Sequence, residues 1–202
     1  DDVLDVRVRG GHIAEISANP LPAESAKRVI EADGLWLTPG FIDIHTHYDA
    51  ELLLAPGLHE SVRHGVTTCM IGSCSISMIY CDAEDASDIF TRVESIPREF
   101  VLPALRKIKT WNDAAAYIAH LKSLPLGPNI ASYMGHSDLR TAVMGLKRAV
   151  DPIAKPTETE MRTMERHLNE GIDQGLLGLS GMTNPWDKVD GDRYRSAALP
   201  SV

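Results

Sequence analysis

Polar and apolar residues alternate over Asp5-Val-Arg-Val-Arg9, break at Gly10-Gly11, and resume in Ile13-Ala-Glu-Ile16. A period of two with a central glycine pair predicts a β-hairpin with one buried face. A Pro/Ala/Ser-rich loop covers Asn19 to Ala26, and a further short strand is expected around Arg28 to Ala32. Past Pro39-Gly40 the pattern changes. Phe41-Ile-Asp-Ile44 is nearly all apolar and Val66-Thr-Thr-Cys-Met-Ile71 is rich in β-branched residues, as expected of buried parallel strands. Asn129-Ile-Ala-Ser-Tyr-Met134 and Leu176-Leu-Gly-Leu-Ser180 are predicted as the third and fourth strands of this kind.

Helical spacing fills the intervals. Thr110-Trp-Asn-Asp113 reads as a capping box for a helix running to about Ser123, with Trp111, Ala115, Ile118 and Leu121 on one stripe. Thr157-Glu-Thr-Glu160 is a second capping box, followed by Met161, Met164, Leu168 and Ile172 at helical spacing until Gly175. Pro97 and Pro103 are expected to break the long stretch between the second and third strands into loop and short helix. Strands alternating with helices predict a parallel α/β sheet, open or closed into a barrel.

Composition narrows the function classes. Twenty Lys+Arg stand against twenty-eight Asp+Glu in 202 residues, a formal charge of −8 with no basic cluster, which argues against a nucleic-acid surface or a polybasic membrane patch. Apolar runs such as Leu52-Leu-Leu54 are far short of the roughly 20 residues a membrane helix needs. Cys69, Cys74 and Cys81 are odd in number, so reduced thiols and a cytoplasmic location are expected rather than a disulfide framework. The first residue is Asp, already next to a strand pattern, and no secretory signal is visible; the expectation is a piece of a longer chain.

Candidate chemistry gathers at the carboxyl ends of the predicted strands, where parallel α/β folds place their sites. His45 and His47, one residue apart after the first parallel strand, project to the same side and suit a divalent metal such as zinc; the structural alternative is one core-facing His and one loop cap. Cys74, in Gly72-Ser-Cys-Ser-Ile-Ser77 after the second strand, is a third ligand or a structural thiol. Cys69 and Cys81 read as buried small hydrophobes. Met134-Gly-His-Ser-Asp-Leu-Arg140 supplies a polar substrate contact, or a Gly turn with a helix cap at Ser137 or Asp138. His136, Arg140 and Ser180 are the substrate-contact candidates.

Taken together, Pro39-Gly-Phe-Ile-Asp-Ile-His-Thr-His-Tyr-Asp49 resembles the opening metal motif of the amidohydrolase superfamily. His64-Gly-Val-Thr-Thr68 leading into the Cys74 loop is similar to the Cys-bearing segment of the N-acyl-D-amino-acid deacylase (D-aminoacylase) family. Arg92 to Pro97, Trp111, Gly135 to Gly145 and Gly175 to Ser180 fall in that family's order and spacing, so the resemblance covers nearly the whole chain. It implies an amidohydrolase-type TIM (β/α)₈ barrel, with residues 39–202 as about its first four βα units. Residues 1–38 would then be part of a small β-sandwich. The implied reaction is metal-dependent hydrolysis of an N-acyl-D-amino acid to a carboxylate and a free D-amino acid. The implied cofactor is one tightly bound Zn²⁺, with a second weak site as an open alternative, held in part by His45, His47 and Cys74. The partner is the small-molecule substrate, with neither nucleic acid nor membrane. The general-base Asp and two further His are expected beyond Val202.

Ser73 and Ser75 stand where the family usually has Asn and Gly, and Gly181-Met182 replaces the usual Thr-Gly. A changed loop backbone is expected, because Ser75 tolerates positive φ poorly. A (β/α)₈ barrel takes about 250 residues, so half of one is expected here, and the 202-residue chain by itself is expected to be inactive. His12, His59, His64, His120 and His167 are read as packing or surface residues. Two alternatives stay open: a hydantoinase- or dihydroorotase-like enzyme of cyclic amides, and a non-catalytic half-barrel metal-binding module that self-associates through its open sheet edge.

Overall fold

The computed structural model describes residues 3–93, 96–183, 186, 188–189 and 193–194. It divides into two compact units, 1–39 and 40–202.

In the first unit, β1 (Asp5–Arg9) pairs antiparallel with β2 (His12–Ser17), Arg9 opposite His12. Gly10 and Gly11, at φ +58° and +81°, make the two-residue turn whose twist matches the strands. A register irregularity follows Arg7, whose guanidinium pairs with Glu15 at 2.9 Å. The strand expected at Arg28 to Ala32 does not form. That segment has no ladder partner among the described residues, and β-propensity without a neighbouring edge makes no strand.

The second unit begins with β3 (Phe41–Asp43), followed by helices α1 (Asp49–Leu54) and α2 (His59–Arg63) and strand β4 (Val66–Ile71). Helices α3 (Ala83–Val93), α4 (Arg98–Ile108) and α5 (Ala114–Ser123) lead to β5 (Asn129–Ser132) and β6 (Met134–Gly135). Helices α6 (His136–Met144), α7 (Leu146–Ala149) and α8 (Glu158–Asp173) precede β7 (Leu179–Ser180). β3, β4 and β5 form a parallel sheet in that order, and β6 pairs parallel with β7. The α/β class with a parallel sheet is therefore observed.

Local differences from the sequence pattern have physical causes. The segment 129–134 splits at Tyr133, whose N–H donates to Ile71 O (3.0 Å), while Met134 N turns to Gly178 O (2.8 Å). Only Leu179 and Ser180 of the fourth segment pair as strand. Phe41, Ile42 and Ile44 are 60–70% exposed, because β3 is the edge of its sheet. Helix α5 is capped by the Asp113 side chain, which accepts from Ala116 N at 2.8 Å, and not by Thr110. The start three residues later turns Ala114, Tyr117 and Leu121 inward and leaves Ala115 outside. Pro103 lies inside α4 instead of ending it; the ring and Glu99, whose carbonyl loses its donor, are both exposed to water. The Thr157/Glu160 capping box is present as expected.

The core lies between the sheet and the helices. Leu52, Ile71, Ile76, Met78, Ile79, Phe90, Leu105, Tyr117 and Met134 are almost wholly buried, each such apolar side chain contributing about 1.5–3 kcal/mol. Among the described residues no helix is long and apolar enough to cross a membrane. β4 is followed by Gly72, which has φ +73° and sits where a Cβ would come 2.2 Å from Tyr133 O. Left-handed strain and overpacking combine there, so Gly72→Ala is expected to cost about 2–4 kcal/mol. Urea unfolding of the two proteins measures the difference.

Candidate metal centre

The first two candidate ligands are placed by the residue between them. Thr46 is buried, and both its N–H (3.1 Å) and its hydroxyl (2.8 Å) donate to Met70 O in β4. With Thr46 turned into the sheet, its neighbours His45 and His47 turn the other way together. Their rings meet edge to face, 5.4 Å between centroids. Asp43 at the end of β3 steadies the turn by accepting from His45 N at 3.3 Å.

Cys74 arrives from the end of β4. Its Sγ lies 2.9 Å from His45 Nε2. Donor atoms of His45, His47 and Cys74 all fall within 4.8 Å of one another. Zinc–ligand bonds of about 2.0–2.3 Å in tetrahedral array set nitrogen and sulfur donors about 3.6 Å apart, so one ion can reach all three after small side-chain rotations. Two imidazoles and a thiolate match zinc in ligand type as well. The three residues singled out from the sequence are thus brought together.

The loop that carries Cys74 is left-handed at two consecutive non-glycine residues, Cys74 (φ +51°) and Ser75 (φ +69°). The expectation that Ser75 would avoid positive φ is corrected, at a cost of about 1–2 kcal/mol for such a residue. Bonds from three elements hold it there. Ser75 N donates to Ser180 Oγ (3.1 Å), and Ser180 in turn donates to Gly72 O. Ser137 N donates to Ser75 O (2.8 Å), and the Ser75 and Ser137 hydroxyls bond each other. Further along, the Ser77 hydroxyl donates to Asp138 (2.6 Å) and accepts from Gly135 N (3.0 Å). Ile79 N (2.7 Å), Tyr80 N (3.1 Å) and Cys81 N (2.7 Å) also donate to the Asp138 carboxylate.

Ser137 and Asp138 therefore do not cap α6; its N-cap is Gly135, and both side chains face the Cys74 loop. The substrate-contact candidates are dispersed. Arg140 donates to the carbonyls of Ala149 (3.1 Å) and Ala154 (2.8 Å), and Ser180 is engaged with Gly72 and Ser75. His136 is half-buried at the start of α6. Burial first, and then the Arg140 charge, hold its pKa below the usual value, and its Nδ1 has no hydrogen-bond partner among the described residues. Cys69 and Cys81 are buried, and burial raises both thiol pKa values.

Sequence reasoning missed Asp49 as a site residue. It is wholly buried and accepts from Gly72 N at 3.2 Å, tying the His45/His47 segment to the Cys74 loop. Burial pushes its pKa up to about 7, opposed by the bond from Gly72 N–H and assisted by the Asp138 charge. An acidic residue at a helix start is ordinary, Glu51 being a second one in the same turn, and burial is not visible in one sequence.

A His-x-His pair and a strand-end thiol on a parallel α/β sheet are grouped closely enough to hold one metal ion. The chain belongs to the D-aminoacylase family of amidohydrolases, matching the amino-terminal portion of its members. An uncharacterised protein of Mycobacterium tuberculosis is 56% identical over 195 residues, 96% of this chain and 32% of the relative. The N-acyl-D-glutamate deacylase of Alcaligenes xylosoxydans is 32% identical over 176 residues, 87% of this chain and 32% of the relative. A solved N-acyl-D-glutamate deacylase from Bordetella bronchiseptica, complexed with zinc and a phosphonate inhibitor, superposes with a TM-score of 0.68. It shares 30% identity, over 87% of this chain and 33% of that one. The chain thus spans about a third of the length of the curated relatives it matches. No protein-family model matches it.

Two outcomes follow from the geometry. Cys74→Ala is expected to lower zinc content, measured by mass spectrometry, whereas Cys69→Ala and Cys81→Ala leave it near the wild-type value; equal loss in all three would assign the effect to stability. Burial raises the Asp49 pKa from an ordinary 3.8 to about 7 in the folded state. The native state therefore holds the extra proton between those values, so the contribution of Asp49 to stability is fully present below about pH 4 and is lost as pH rises to about 7. In chelator-treated protein, Asp49→Asn is expected to flatten that decline in urea midpoints from pH 4 to 8.

Proposed function

We propose that this chain carries one side of the metal centre of a zinc-dependent hydrolase that cleaves the amide bond of N-acyl-D-amino acids. The carrying observation is the approach of the Cys74 thiol to His45, with His47 beside them, across 29 residues of sequence. In this reading the parallel sheet is the first part of a (β/α)₈ barrel, residues 39–202, and residues 1–38 are part of a small β-sandwich. The overlap with solved deacylases supports it. A reducing, cytoplasmic setting fits three cysteines of which none forms a disulfide.

His45 and His47 serve as neutral nitrogen donors and Cys74 as the thiolate. When bound, zinc lowers the pKa of a coordinated water and polarises an amide carbonyl. Thr46 and Asp49 keep the two ligand loops in register through Met70 and Gly72. Among the substrate candidates His136 remains available to a polar group, while Arg140 and Ser180 act inside the protein by fixing backbone.

The experiment is a substrate comparison on the intact protein. N-acyl-D-amino acids are expected to be hydrolysed much faster than their L-enantiomers, since holding both the carboxylate and the acyl group presents one face to water. Cys74→Ala is expected to abolish the release of D-amino acid. Equal rates on both enantiomers, or a preference for cyclic ureides, would replace this reading with the hydantoinase-like one.

A further inference from the structure

Much of the loop that presents Cys74 is tied to the carboxylate of Asp138. One oxygen accepts from the Ser77 hydroxyl (2.6 Å) and Ile79 N (2.7 Å); the other accepts from Cys81 N (2.7 Å) and Tyr80 N (3.1 Å). The side chain is completely buried, so no water stands ready to replace those bonds. Ser77 is the link back toward the metal cluster, three residues from Cys74 and also bonded to Gly135 N at 3.0 Å. Between Cys74 and Ser77 the chain makes a tight turn, with Ile76 N donating to Ser73 O at 3.0 Å. A loop held at φ +51° and +69° on consecutive non-glycine residues relaxes toward ordinary backbone unless its flanks are fixed.

We propose that Asp138 is a positioning residue for the metal centre: its carboxylate fixes residues 77–81 and so holds the left-handed turn that aims Cys74 Sγ at His45 and His47. The proposal rests on the ligand assignment made above. Both carboxylate oxygens accept from backbone N–H, so an amide in the same place fails whichever way it is turned. Its NH₂ group must face an N–H donor on one side. Asp138→Asn is thus a nearly isosteric change that opens the cradle.

The test is made on the intact protein with zinc and cobalt as probes. Zinc affinity is measured by competition with a chromophoric chelator, and the thiolate-to-cobalt charge-transfer absorption reports whether Cys74 ligates. Asp138→Asn is expected to weaken zinc binding by about 10- to 100-fold, the usual scale for residues that orient ligands, and to diminish the charge-transfer band. Ser77→Ala, which removes one hydroxyl, moves both readouts in the same direction by less. Should Asp138→Asn fail to fold, Ser77→Ala decides the matter by the same two measurements. Leu121→Ala, a destabilising change in α5, is the control and keeps wild-type zinc affinity. Folded Asp138→Asn with wild-type affinity and spectrum overturns the proposal, as does an equal loss in Leu121→Ala. If Cys74→Ala itself leaves the cobalt spectrum unchanged, the ligand assignment fails, and that result is distinct from a failure confined to Asp138.

Discussion

A chain that leaves a buried parallel strand carries its amide groups into the core, and each must find an acceptor there. After β4 this protein meets that demand with side chains rather than with more sheet. The Asp138 carboxylate takes three consecutive N–H groups, and Ser137 and Ser180 take up the polar atoms of Ser75 and Gly72. Because those partners come from α6 and β7, the loop adopts its shape only when the third and fourth βα segments have docked. The ligand cluster is therefore a product of tertiary structure, although each of its residues is local to a strand end.

The sequence was informative wherever one stretch of chain decides its own conformation. β4 spans Val66 to Ile71 in both pattern and structure, and Thr157 with Glu160 marks the start of α8 correctly. The His-x-His spacing implied shared orientation, and Thr46 shows why, since its two bonds to Met70 O turn it inward. Expectations failed where a distant partner decides. Arg28 to Ala32 has strand-like composition but no neighbouring edge, and 129–134 divides because Tyr133 bonds to β4 while Met134 bonds to Gly178. Asp113 outcompeted Thr110 as a cap because its carboxylate reaches Ala116 N, and the later start puts Ala114 and Tyr117, not Ala115, on the buried face of α5 beside Leu121.

Two carboxylates buried near the cluster illustrate a division that sequence does not reveal. Asp138 is surrounded by donors. Asp49 accepts one bond from Gly72 N on one oxygen, while the other has no partner among the described residues, and its proton is held to about pH 7. The same residue type, equally enclosed, is a multiple acceptor in one place and a partly satisfied group beside the ligand loops in the other. What differs is the number of N–H groups the backbone turns toward each.

The hydroxyl pair of Ser75 and Ser137 links positions 62 residues apart at full burial. The Ser137 N–H also donates to Ser75 O (2.8 Å) and to Ser75 Oγ (3.1 Å), so backbone as well as hydroxyl ties the pair. A change at one site removes a partner from the other. Substitutions at 75 and 137 are therefore expected to interact energetically rather than add.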